Sequence, residues 1–67
     1  MDEVRFLRRS KVEELTGLST SGIYRQIKSE TFPRPVRTGP GSVAWKSDEI
    51  AMWMQNRERA GGAIKAA

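Results

Sequence analysis

The sequence predicts a mainly α-helical domain carrying a small β-hairpin. Three observations support this. Two short apolar-periodic runs are separated by "TGLS", residues 16 to 19. The stretch "VRTGPGSVAWK", residues 36 to 46, places strand-forming residues on either side of a Gly-Pro-Gly tip. A third apolar-periodic run opens after Ser47.

Each element follows from its residues. Val4, Phe6 and Leu7 suit a brief strand or an extended arm. "SKVE" then offers a capping box, in which Ser10 accepts from the N–H of Glu13 and Glu13 reaches back to the N–H of Ser10. Val12 and Leu15 share one face of a helix of about two turns. Gly17 ends that helix, because glycine takes the left-handed position after a helix without steric cost. Leu18 plugs the core from the turn. Ser19 caps a second helix with Ile23 and Ile27 on its buried stripe. Phe32-Pro33 and Pro35 stop it. The hairpin follows, and its turn type is left open by Pro40 between two glycines. Ser47 caps the third helix, with Asp48 and Glu49 in the first turn, where the helix dipole favours anions. Ile50, Trp53 and Met54 form its apolar stripe, and Arg57 and Arg59 suit its C-terminal end. Trp45 and Met52 are also read as core residues, with exposure of Met52 marking a partner surface instead. Residues 1–60 form one domain and the tail 61–67 is expected to be frayed.

With 67 residues the chain has a marginal core. It has no cysteine and no histidine. Disulfides, thiolate metal sites, zinc–imidazole sites and Ser-His chemistry are therefore not expected. No catalytic residue, metal or cofactor is expected, and no small-molecule ligand is evident. No apolar run approaches a membrane span. The start, "MDEVRFLRR", runs from acidic to basic without a secretory apolar core, so the expected location is the cytoplasm, at the nucleoid.

The net charge is +4, and its placement says more than its size. From Thr20 to Lys46 stand Arg25, Lys28, Arg34, Arg37 and Lys46 against Glu30 alone, while the other basic and acidic residues balance. A localised basic face points to a polyanion.

Two short helices joined by "TGLS" meet the helix-turn-helix pattern. The second helix, about 20–29, then presents its N-terminal end to a major groove. Small polar residues in "STSG" let that end approach a duplex, and its exposed N–H groups suit a phosphate. The hairpin, about 36–46, reads as a wing on the backbone or minor groove. The expected fold is a winged helix-turn-helix and the expected partner is double-stranded DNA. The expected DNA-binding residues are Ser19, Thr20, Ser21, Tyr24, Arg25, Lys28, Arg34 and Arg37. Arg25 is the base-reading candidate, since a guanidinium can pair with guanine through two hydrogen bonds. Lys28 is a phosphate candidate, and Arg37 contacts phosphate or enters a minor groove. Thr20 and Ser21 touch bases or only cap the helix. Tyr24 places its hydroxyl at DNA or serves the core alone. Arg8, Arg9 and Lys11 read first as solvated charges, with flanking phosphate contacts as the alternative.

"TGLSTSGIYRQIK", "FPRPV" and "VAWKSDEI", in this order, resemble the AlpA-type regulators of phages and integrative elements. These are small winged helix-turn-helix proteins related to the MerR-like and excisionase group. The resemblance covers residues 7 to about 59. It implies a transcription regulator of a prophage or mobile element, with the helix after "GLS" as recognition helix and the hairpin as wing. An excisionase that bends DNA at an attachment site uses the same parts. A protein-interaction module built on Met52, Trp53 and the third helix is the reading from another class. The sequence departs from many helix-turn-helix proteins at Glu13, where a small residue is common, and at Gly22, which costs about 1 kcal/mol of helix propensity relative to alanine. The second departure implies a recognition helix that settles only on DNA. Dimers or tandem copies on repeated sites would raise occupancy, although no heptad seam is visible.

Overall fold

The computed structural model describes residues 3–57. Arg59, the domain limit at residue 60 and the tail 61–67 lie outside the described residues. In chain order the elements are β1 (Phe6–Leu7), α1 (Arg9–Thr16), α2 (Thr20–Lys28), β2 (Val36–Gly39), β3 (Ser42–Lys46) and α3 (Ser47–Gln55). The three strands form one antiparallel sheet in the order β1-β3-β2. Three helices against a sheet with a projecting β2–β3 hairpin make a small winged helix-turn-helix.

The core draws on all three helices and on strands β1 and β3, with Leu18 and Phe32 added from the connecting segments. Val12, Ile23, Phe32, Trp45 and Ile50 are buried together, with Leu7, Leu18, Ile27 and Trp53 packed partly against them. Each fully buried apolar side chain contributes about 1.5–3 kcal/mol. Phe32, which the sequence places in a helix stop, is one of these five. It stacks edge-on against Trp53 with ring centroids 4.8 Å apart. Leu15 and Met54, expected on buried stripes, are 44% and 36% exposed. In so small a domain each helix buries a narrow strip, and these residues fall beside it. Met52 is also exposed rather than part of the core.

Both expected serine caps at 10 and 47 are absent. Helix α1 starts two residues early, with Arg8 at the N-cap and no side-chain cap bond, so Ser10 sits inside the first turn. Helix α3 starts at Ser47 itself, with Lys46 at the N-cap. Ser47 instead ties down the N-terminal arm. Its Oγ accepts from the N–H of Arg5 at 2.8 Å, and its own N–H donates to the Arg5 carbonyl at 2.8 Å. Asp48 and Glu49 do occupy the first turn of α3.

Proline does not end α2 either. The helix stops at Lys28, and Glu30 takes a left-handed conformation with φ 64°. The Glu30 N–H donates to the Ile27 carbonyl at 3.0 Å and the Thr31 N–H to the Gln26 carbonyl at 2.8 Å. This pair of bonds is a Schellman closure, here without the usual glycine. At the hairpin tip Gly41 has φ 72° directly after Pro40, the order that a type II turn requires.

Candidate nucleic-acid interface

The turn between α1 and α2 forms as its residues dictate. Gly17 is left-handed at φ 78°, and its N–H donates to the Glu13 carbonyl at 2.8 Å. Ser19 is extended, and its Oγ accepts from the Gly22 N–H at 3.1 Å. A methyl group at Gly22 would stand 3.2 Å from that oxygen. Glycine here therefore leaves room for the cap.

Helix α2 buries Ile23 and half-buries Ile27. Ser21, Tyr24, Arg25 and Lys28 are exposed, and their spacing of three and four residues lines them up along one face. Arg25 lies opposite the Ile23–Ile27 stripe. The structure thus brings four of the expected contact residues onto one polar, cationic stripe. Tyr24 is 41% exposed, so its ring lies at the edge of that stripe.

Thr20 faces the turn. Its hydroxyl donates to the Glu13 carboxylate, which also pairs with Arg9 Nε at 3.3 Å. Glu13, read as a departure from the helix-turn-helix pattern, is the acceptor that ties α1 to the first residue of α2. Ser19 is occupied as the cap, and its Oγ lies 3.4 Å from that of Ser21.

Arg34 and Arg37 are exposed on other elements. Arg34 follows a segment anchored by both indoles: Trp45 Nε1 donates to the Pro33 carbonyl at 2.9 Å and Trp53 Nε1 to the Thr31 carbonyl at 2.8 Å. Arg37 pairs with Val43 across the hairpin, just before a β-bulge that leaves Thr38 unopposed. The hairpin joins the helical body through β3, which packs on α1 and α3.

The fold brings a further basic group to the wing. Arg8, Arg9 and Ser10 line a polar hollow together with Gly41, Ser42 and Val43 at the wing tip. The start of α1 and the tip of the hairpin thus form one cationic concavity. Its sequence signal was the Arg8-Arg9 pair, but only the fold brings the pair to the wing. The outer face of α3 has the opposite chemistry. A groove there is lined by Pro33, Asp48, Glu49, Met52, Trp53 and Asn56, and its carboxylates would repel a phosphate backbone. Arg57, at the end of that helix, stacks its guanidinium 4.6 Å above the Trp53 ring.

Among the described residues no group of three or more His, Cys, Asp or Glu converges as a metal site, and no helix is long and apolar enough to cross a membrane.

The chain matches the family described as Prophage CP4-57 regulatory protein (AlpA) over residues 5–58. It is 45% identical over 53 residues to the uncharacterized protein ORF88 of Enterobacteria phage P4, an alignment that takes in 79% of this chain and 60% of that protein. The chain therefore spans less than two thirds of the length of that relative. No solved structure matches it significantly. Because the family match takes in all three strands and all three helices, the chain belongs to the AlpA family of prophage regulatory proteins.

Proposed function

We propose that the chain binds double-stranded DNA sequence-specifically and regulates transcription for a phage or mobile element. The observation that carries this reading is the stripe of Ser21, Tyr24, Arg25 and Lys28 on the open face of α2, behind a capped turn whose first helical residue, Thr20, is tied to Glu13 of α1. In this reading α2 enters the major groove. Arg25 pairs with a guanine edge, and Lys28 neutralises a phosphate. Ser19 and Thr20 set the helix end near the backbone, and Ser21 faces the bases. Arg37 and Arg34 hold the flanking strand. The Arg8–Arg9 hollow adds phosphate contacts beside the wing. The protein acts at the nucleoid in the cytoplasm and needs no catalytic group.

The test combines selection from random duplexes with amide shift mapping on the selected site. The reading expects one enriched motif and shifts concentrated in residues 19 to 42. Shifts confined to α3, or no enrichment, would overturn it. Gel mobility of duplexes with phased sites then separates a promoter regulator from an excisionase, which requires a sharp bend.

A further inference from the structure

A carboxylate beside a phosphate backbone is repelled by it, yet Glu13 touches both parts of the surface assigned to DNA. Its Oε2 accepts from the hydroxyl of Thr20, the first residue of α2, and pairs with Arg9 Nε at 3.3 Å. Its carbonyl accepts the Gly17 N–H at 2.8 Å and so closes α1. Arg9 in turn lines the hollow at the wing tip. One residue thus joins the end of α1, the head of α2 and a guanidinium beside the hairpin.

Folding stability gives little reason for the ion pair. The side chains of Arg9 and Glu13 are 53% and 28% exposed, and pairs so open to solvent add little to stability. Holding a long arginine in one geometry costs rotamer entropy. That cost is offset when a ligand needs the arginine already in place.

Arginine has the chemistry for such a role. Its guanidinium carries five N–H donors in a fixed fork. Turning Nε to Glu13 leaves the two terminal nitrogens for the oxygens of a phosphate. None of the residues lining the hollow is acidic, so an anion there meets no opposing charge from its walls.

We propose that Glu13 is a positioning residue of the DNA interface. Thr20 fixes its Oε2 at the head of α2, and Oε2 holds the Arg9 guanidinium toward the hollow. The phosphate contact beside the wing is thereby set in register with the recognition helix before a duplex arrives. This role rests on the DNA-binding reading above.

Glu13→Gln tests it, with duplex binding followed by fluorescence anisotropy on the selected site. Glutamine keeps an oxygen to accept from Thr20 and removes the charge that holds Arg9. A carboxylate that only locks the turn predicts equal or tighter binding, because a negative charge has left the neighbourhood of a polyanion. A positioning carboxylate predicts the opposite sign. Glu13→Gln should weaken binding roughly 3–10-fold, the scale of one pre-ordered long side chain. Arg9→Lys keeps the charge without the fork and should lose a similar factor. In an Arg9→Ala background Glu13→Gln should weaken binding no further. Equal or tighter binding after Glu13→Gln, or a loss that persists without Arg9, overturns the proposal.

A measurement without DNA covers the case of a disturbed fold. The Arg9 Nε–H, followed by side-chain nuclear magnetic resonance, should exchange with water more slowly in the unmodified chain than in Glu13→Gln. Equal exchange also overturns the proposal. A chain that binds no duplex refutes the DNA reading itself. A chain that binds, and binds as well after Glu13→Gln, refutes only the role of Glu13.

Discussion

The indole N–H of Trp45 donates to the carbonyl oxygen of Pro33 at 2.9 Å, joining the middle of β3 to the segment that leaves α2. Trp45 is fully buried, so that carbonyl has no easy substitute for the lost donor. Trp45→Phe should lower stability by about 2 kcal/mol, from the unpaired carbonyl and the smaller ring. Trp53→Phe, at a half-buried site, should cost about 1 kcal/mol. Urea unfolding followed by circular dichroism checks the order.

Glu30 holds a left-handed backbone that glycine adopts without strain. Glu30→Gly should therefore stabilise the domain by about 1 kcal/mol, against the usual direction for glycine. Gly17→Ala should do the opposite by a similar amount, because it places a side chain at φ 78°. Thermal unfolding of the pair gives the signs.

Glu13 and Thr20 couple the two helices of the motif. Both lie near solvent, so the coupling should be about 0.5–1 kcal/mol in a double-mutant cycle of Glu13→Ala with Thr20→Val. A coupling near zero would show that the turn is held by Gly17 and Ser19 alone.

Arg25→Ala should weaken sequence preference, by about 1–3 kcal/mol at the base pair it reads. Arg37→Ala should instead weaken binding to all duplexes about equally. Fluorescence anisotropy on singly substituted sites separates the two patterns. A uniform loss for Arg25→Ala would remove its base-reading role.

With about five phosphates neutralised, the log–log dependence of affinity on salt should have a slope of roughly −4 to −5. If the hollow beside the wing also holds phosphate, Arg8→Ala and Arg9→Ala should each reduce the slope by about one. A slope near zero would exclude an electrostatic footprint.

Local chemistry made much of the fold legible. The left-handed Gly17, the Ser19 cap, the Ile23–Ile27 stripe and the hairpin from Val36 to Lys46 each depend on residues a few positions apart. Failures occurred where a distant partner decided the outcome. Ser47 had the right type for a cap, but a backbone group 42 residues away holds its hydroxyl. Phe32 was hidden by the prolines beside it, and it packs against Trp53 of α3. Leu15 and Met54 had the right period, yet periodicity gives the direction of a buried stripe and not its width. For the interface, the α2 stripe follows from helical spacing alone. The Arg8–Arg9 hollow required knowing that α1 begins against the hairpin tip.

The placement of the aromatic residues gives the protein two separate optical signals. Its one tyrosine lies on the outer stripe of α2, while its two tryptophans report from the interior and from the packing of α3. Unfolding should register first in indole emission. Engagement of a duplex by α2 should alter phenol emission and leave the Trp45 signal steady, so one cuvette can distinguish a variant that has lost its shape from one that has lost its target.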